Sequence, residues 1–161
     1  MFNRSVRVNL RNQSLDVLEG GVVVRSFSVS TSAMGPGERM DSLCTPRGRH
    51  VIRARIGAGL PVNTVFVGRR PTGETYDAKL GRQHPGRDWI LTRILWLSGA
   101  ELGRNRLGNV DSMRRFIYIH GTPESEPMGV PRSHGCVRMR NADVIELFDM
   151  VDAGMPVELN P

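Results

Sequence analysis

Apolar and polar residues alternate along much of the chain, which predicts a series of short β-strands. Val6, Val8 and Leu10 alternate with polar residues, the period-two pattern of a half-buried strand. Two further runs flank Gly20-Gly21, and this arrangement predicts a hairpin. The predicted strands cover residues 6–10, 15–18, 22–29, 50–56, 64–67, 89–97 and 116–119.

A helical pattern follows in the C-terminal part of the chain. Its apolar positions are Val144, Leu147, Phe148 and Val151. Asn141 is placed to cap this helix, and Gly154 with Pro156 ends it. Residues 157–159 then resemble an edge strand that closes the sheet. Polar loops without periodicity are predicted over 32–42, 69–88 and 99–111. We therefore expect a mainly β, single-domain sandwich or barrel over residues 1–161 with one C-terminal helix.

Composition is that of an ordinary globular domain. Of the 161 residues, 39% are hydrophobic and 24% are charged. The net charge is +6, and Lys79 is the only lysine among 22 basic residues, so arginine supplies nearly all positive charge. Arginine suits bidentate binding of a carboxylate or phosphate. No block of consecutive basic residues with interleaved aromatic ones is present, which argues against nucleic-acid binding. No apolar run approaches the ~18 residues of a membrane span.

One thiol and two imidazoles lie close together in the sequence, at Cys136, His120 and His134. The thiolate is the reactive form of cysteine, and a neighbouring histidine can accept its proton. Gly135 leaves room for close backbone approach, and N–H groups around the thiol can stabilise an oxyanion. A structural role for each residue alone is the simpler alternative. A zinc site is a second alternative, but it lacks a fourth ligand and Cys-x-x-Cys spacing.

These residues carry a resemblance to a known family. His120-Gly121, followed by Ser-His-Gly-Cys-Val-Arg at 133–138, is similar to the signature of the L,D-transpeptidase (YkuD-type) catalytic domain. Thr-Pro-Arg-Gly at 45–48, after an opening hairpin, also resembles that domain. The resemblance covers nearly the whole chain and implies the YkuD-like β fold.

The resemblance also implies a role for each site residue. Cys136 is then the nucleophile, His120 the general base, and the Gly121 carbonyl orients the imidazole. The expected oxyanion and substrate-binding residues are His134, Gly135, Ser133 and Arg138. Sequence alone leaves open which histidine takes the proton, and whether Ser133 binds substrate or holds the loop. Arg138 is expected to bind a peptide carboxylate, with a surface ion pair as the alternative.

By the same resemblance, the substrate is a peptidoglycan tetrapeptide stem or muropeptide, cleaved before its terminal D-Ala through a thioester on Cys136. Transfer to an amine is transpeptidation, whereas transfer to water is L,D-carboxypeptidase activity. Carbapenem-type β-lactams are the expected inhibitors, and no cofactor or metal is expected.

Location and alternatives follow from the rest of the chain. The N-terminus has no apolar signal region, so the chain as written is expected in the cytoplasm, where hydrolysis of soluble muropeptides is the natural outcome. A trimmed chain would instead belong to the periplasm or cell wall.

Cys44 is expected to be unpaired. Two non-enzymatic alternatives are a wall-binding module that keeps the fold without catalysis and a basic nucleic-acid-binding protein.

Overall fold

The computed structural model describes residues 2–161 and contains ten strands and two α-helices. The strands are β1 (Arg4–Asn9), β2 (Ser14–Glu19), β3 (Val22–Ser30), β4 (Gly48–Ile56), β5 (Thr64–Val67), β6 (Arg70–Thr75), β7 (Ile90–Gly99), β8 (Tyr118–Gly121), β9 (Val137–Met139) and β10 (Pro156–Asn160). The helices are α1 (Ala78–Gln83) and α2 (Asn141–Met150). A short 3₁₀ turn covers Gly108–Val110.

Eight of the strands close into a barrel. Their order is β4-β10-β1-β2-β3-β9-β8-β7, and β7 pairs with β4 to complete the ring. The β5–β6 hairpin extends from β7 outside this ring. Two pairings are parallel, β1 with β10 and β8 with β9, and the others are antiparallel. The predicted mainly β fold with a C-terminal helix is confirmed.

The barrel interior is filled by the apolar face of each strand. Val6 and Val8 are fully buried, while Arg7 between them is exposed, as the alternation predicts. Helix α2 packs against β7 and β8 and contributes Val144 and Leu147 to the same core. Each such side chain stabilises the fold by roughly 1.5–3 kcal/mol. The core thus holds β8, β9 and α2 in fixed relative positions.

Two predictions about the middle of the chain are wrong. The segment 69–88 is not a loop throughout, because it contains β6 and α1. Strand β6 is mostly exposed and pairs only with β5, and α1 buries no residue. Neither element therefore shows a periodic pattern of apolar residues in the sequence. Asp77 begins α1 by accepting the Leu80 N–H at 2.7 Å.

Three predictions about element ends are also wrong. Asn141 does not cap α2: it is the first helical residue and is buried, while Arg140 is the cap residue without a side-chain bond. Strand β10 is not an edge strand, since it lies between β1 and β4. Strand β8 begins at Tyr118, because Phe116 has a left-handed φ of 56° and turns its ring outward.

Candidate active site

The parallel pairing of β8 with β9 brings the two sequence motifs together. His120 pairs with Arg138, and Ile119 pairs with Val137. Cys136 comes one residue before β9, beside the start of β8. The structure therefore places the thiol and the His120 backbone on neighbouring strands, although they are sixteen positions apart in the chain.

The Cys136 thiol is held between two backbone groups. Its Sγ accepts the Tyr118 N–H at 3.3 Å and lies 3.3 Å from the Phe116 carbonyl oxygen, to which the S–H donates. Burial raises the pKa of Cys136 to about 12, although the Tyr118 N–H opposes that rise. The free protein therefore holds a neutral thiol at neutral pH.

The His120 imidazole is fully buried and has one defined orientation. Its Nδ1 lies 2.6 Å from the Gly121 carbonyl oxygen, which can only accept, so Nδ1 carries the proton. Nε2 is then the nitrogen that can accept another proton. Burial lowers the pKa of His120, and the Gly121 carbonyl offsets part of that effect. The imidazole is therefore neutral at neutral pH, like the thiol.

Neither imidazole is hydrogen-bonded to the Cys136 Sγ within residues 2–161. Catalytic hydrogen bonds are often long in free enzymes and shorten when substrate binds. A base role for His120 thus requires that Nε2 approach Sγ.

A buried polar network supports the Gly121 backbone. The Thr92 hydroxyl donates to Asn141 Oδ1 at 2.6 Å, and Asn141 Nδ2 donates to Asn63 and Glu124. A Cβ on Gly121 would overlap Asn141 Oδ1 and come within 2.6 Å of a backbone oxygen of β7, so only glycine fits there. The network therefore packs against the glycine whose carbonyl orients His120.

Backbone strain accompanies this network. Thr92 lies at an irregular pairing between β7 and β8 and has a φ of 74°. A β-branched residue in this region is a true outlier, and such residues cost about 1–3 kcal/mol each. The strain brings Thr92 against both Asn141 and Gly121.

The loop before the thiol is held by its own hydrogen bonds. The Ser133 hydroxyl donates to the Cys136 carbonyl at 2.5 Å and accepts the Gly135 N–H at 3.2 Å. Gly135 has a φ of 126°, and its carbonyl accepts the Thr45 hydroxyl at 2.9 Å. Ser133 thus has the loop-holding contacts, one of the two roles that the sequence left open.

His134 and Arg138 meet a carboxylate that sequence reasoning did not single out. His134 has 62% of its side chain exposed, with Nδ1 at 3.6 Å from Asp88 Oδ2. Arg138 is largely buried and forms ion pairs with Asp88 at 3.1 Å and Glu126 at 3.6 Å. Both guanidinium Nη atoms of Arg138 therefore already face carboxylates, and its role in binding a peptide carboxylate stays a prediction.

Two clefts meet at His134. The acid-base cleft has a volume of about 260 Å³. Its walls include Asp88, Trp89, Glu126, Arg132 and Arg138. The basic cleft has a volume of about 210 Å³. It is lined by Met40, Asp41, Leu43, Arg114, Arg115, Phe116, Ile117 and His134. The exposed imidazole thus borders two separate spaces, and it lies two residues before the thiol in the chain.

Arg115 links this region to the second cysteine. Its guanidinium donates to the Cys44 carbonyl at 2.6 Å, and its charge favours the thiolate of Cys136. The Cys44 Sγ itself faces the backbone oxygens of Met34 and Ser42. Both cysteines are free, which confirms that Cys44 is unpaired.

Sequence reasoning missed several residues of this region. Asp88 was assigned to a loop, and Thr92 to a strand without a special role. Asn141 was interpreted as a cap. Only Thr45 had a signal, through the Thr-Pro-Arg-Gly motif. Asp88 and Thr92 lie far from the motif in the chain, and Asn141, although it follows the motif, has its partners far away in the chain, so no local pattern marks their roles.

Within residues 2–161, no three His, Cys, Asp or Glu side chains are grouped as metal ligands. Across those residues, neither helix has the length and apolar character needed to cross a membrane.

Comparison with known sequences identifies related proteins. The family model of the YkuD L,D-transpeptidase catalytic domain matches residues 3–159. The L,D-transpeptidase YkuD of Bacillus subtilis is 37% identical over 90 residues, which are 56% of this chain and 44% of that protein. YbiS of Escherichia coli K12, also named an L,D-transpeptidase, is 46% identical over 44 residues, 27% of this chain and 14% of its own length. The chain thus spans less than half of these two relatives.

Solved structures share the fold. An L,D-transpeptidase from Xylanimonas cellulosilytica matches with a TM-score of 0.61 and 22% identity, over 98% of this chain and 60% of that one. LdtMt1, an L,D-transpeptidase in complex with imipenem, matches with a TM-score of 0.58 and 18% identity, over 98% and 58% of the two chains. At these identities the likeness establishes the fold alone.

Proposed function

This chain belongs to the YkuD family of L,D-transpeptidase catalytic domains, and from that premise we propose that it is a cysteine acyltransferase acting on peptidoglycan stem peptides. The observation that carries the proposal is the β8–β9 register, which sets Cys136 beside a buried histidine of fixed tautomer. A nucleophile and an oriented base on adjacent strands are the requirements for acyl transfer.

In the proposed first step, Cys136 Sγ attacks the carbonyl that joins the third residue of the stem to its terminal D-Ala. His120 Nε2 accepts the thiol proton as the S–C bond forms, and it returns that proton to the D-Ala nitrogen as the C–N bond breaks. The products are free D-Ala and a thioester on Cys136. The Gly121 carbonyl keeps Nδ1 protonated, the part that a carboxylate plays in other triads.

The neutral state of both groups shapes this step. Burial raises the pKa of Cys136 and lowers the pKa of His120, so a preformed thiolate–imidazolium pair is disfavoured in the free protein. We infer that the proton moves during attack, when substrate excludes water and brings Nε2 closer to Sγ. His134 is mostly exposed and lacks a fixing backbone bond, which suits a substrate contact better than the base role.

The oxyanion of the tetrahedral intermediate needs hydrogen-bond donors. The Gly135 N–H is already used by the Ser133 hydroxyl. We therefore assign the oxyanion to the Cys136 amide, with the exposed His134 imidazole forming the wall of the same pocket. Ser133 and Gly135 then serve to shape the loop that presents this amide.

Two clefts that share His134, two residues before the thiol, favour transfer to a second substrate. One cleft can hold the acyl part of the stem, while the other holds the leaving amine and later the acceptor amine. Attack of that amine on the thioester gives a cross-link and frees the thiol. Water attacking the same thioester gives a tripeptide, the L,D-carboxypeptidase outcome; the acceptor stays a prediction.

β-Lactams of the carbapenem type are proposed inhibitors, because ring opening by Cys136 yields the same kind of thioester. The related LdtMt1 binds imipenem. This supports the proposal for a chain that shares its fold.

The proposed function is tested by incubating the protein with a tetrapeptide muropeptide, with and without an amine acceptor, and reading products by mass. Release of D-Ala with a cross-linked dimer supports the transferase, and tripeptide alone assigns the carboxypeptidase. Cys44→Ala is the matched control and should keep full activity, because Cys44 Sγ meets only backbone oxygens. No release of D-Ala by the wild-type protein would reject the proposal.

A further inference from the structure

Two arginines near the thiol differ in whether they are free to bind an anion. Arg138, in the acid-base cleft, already has Asp88 and Glu126 as partners and is largely buried. Arg114, in the basic cleft, is exposed and has no ion pair within residues 2–161. A new carboxylate has to displace an internal partner at Arg138, but not at Arg114.

We propose that the basic cleft binds the leaving D-amino acid of the substrate, with Arg114 holding its terminal carboxylate and Leu43 with Phe116 contacting its small apolar side chain. This rests on the proposed function, and it replaces Arg138 by Arg114 as the carboxylate-binding residue.

The basic cleft is lined by a residue that contacts the nucleophile. The Phe116 carbonyl accepts the Cys136 S–H, and Phe116 is one of the lining residues. His134 borders the cleft on the same side as the thiol loop. A peptide whose scissile carbonyl sits at Sγ therefore has its next residue within reach of this space.

Strained backbone shapes the apolar wall. Asp41, Leu43 and Phe116 all line the cleft and have φ values of 63°, 63° and 56°. Such conformations are uncommon for residues other than glycine and cluster at ligand sites. Here they leave half of the Leu43 and Phe116 side chains exposed beside the thiol. The two half-exposed side chains offer apolar contact surface to a ligand in the cleft.

One of the two arginines that line the basic cleft is fixed by hydrogen bonds. Arg115 is fixed by the Cys44 and Gly37 carbonyls and the Ser42 hydroxyl. Arg114 is the neighbouring exposed cation, and Asp41 is the one carboxylate in the lining. The cleft thus combines a net positive charge with an apolar wall in about 210 Å³, which matches a small amino acid with a free carboxylate.

The test measures noncovalent binding to the Cys136→Ala protein by calorimetry, using a tetrapeptide ending in D-Ala as the free acid and as the primary amide. We expect the acid to bind roughly tenfold or more tightly than the amide, the value of a hydrogen bond to a charged group. Adding Arg114→Gln should abolish that preference. Adding Arg106→Gln, which removes an exposed arginine outside the basic cleft, should preserve it.

Two results would overturn the inference. One is equal binding of the acid and the amide, and the other is loss of the preference for the acid in Arg138→Gln but not in Arg114→Gln. Circular dichroism checks that each variant is folded. Its failure is separable from failure of the proposed function. Peptide acylation of wild-type Cys136 without an Arg114-dependent preference rejects only the cleft assignment. Absence of acylation and of peptide binding rejects both.

Discussion

The two histidines beside Cys136 lie in opposite environments. His120 is fully buried, its Nδ1 bonded to the Gly121 carbonyl, and that glycine is enclosed by Thr92 and Asn141. His134 is 62% exposed, its polar contact is one distant carboxylate, and it borders two clefts. A base must present one nitrogen in one place, which burial and hydrogen bonding achieve. A substrate contact must remain reachable, which exposure achieves.

The largest expected effect is that of removing His120. His120→Ala should lower the rate of Cys136 acylation roughly 10²–10⁴-fold, the usual contribution of a positioned base. The measurement is single-turnover mass spectrometry with tetrapeptide, and His84→Ala is the control because that exposed histidine lines neither cleft. A larger loss of acylation rate in His134→Ala than in His120→Ala would mean that His134 is the base and His120 is not.

The pH dependence of Cys136 reactivity in the free protein tests whether the thiol and the buried His120 are both neutral. Because the pKa of Cys136 is raised to about 12, the thiolate fraction should grow about tenfold per unit between about pH 7 and 10. Alkylation of Cys136 by iodoacetamide, followed by mass, should rise by roughly the same factor. Rapid alkylation that is flat below pH 7 would instead show a preformed thiolate–imidazolium pair.

A smaller effect is expected from the network behind His120. Asn141→Ala removes the acceptor of the Thr92 hydroxyl proton and the donor to Asn63 Oδ1, and it loosens the packing on Gly121. We expect kcat to fall roughly 10–100-fold through misplacement of the imidazole, with KM nearly unchanged. The exposed Asn109→Ala is the control. A change in KM alone would indicate that Asn141 does not position the base.

The smallest effect is expected at the exposed histidine. His134→Ala removes a contact made at the surface of both clefts, worth roughly 0.5–1.5 kcal/mol, or about 2–10-fold in kcat/KM. The alkylation profile of Cys136 should not move. Steady-state kinetics with the tetrapeptide measures kcat/KM. A shift in the pH profile of Cys136 alkylation would contradict the assignment of His134 to substrate binding.

Sequence reasoning succeeded where the determinants are local. Alternation located the first strands because Val6 and Val8 face the core while Arg7 faces solvent. The motifs around His120 and Cys136 also identified the residues that the β8–β9 pairing brings together.

It failed where a residue's partners are distant in the chain. Asn141 bonds with residues 49 and 78 positions away, so its interpretation as a cap used only the local pattern. The interior place of β10 depends on parallel pairing with β1, a contact between the two ends of the chain. Alternation shows which residues of a strand are buried, but not which strands it pairs with.

The central claim is that Cys136 is the residue that forms the acyl-enzyme. Intact-protein mass spectrometry after brief incubation with a tetrapeptide, or with a carbapenem, tests it most directly when wild type, Cys136→Ala and Cys44→Ala are compared. The account predicts a thioester adduct on wild type and Cys44→Ala, and none on a folded Cys136→Ala. An adduct that persists in Cys136→Ala, or that disappears in Cys44→Ala, would contradict it.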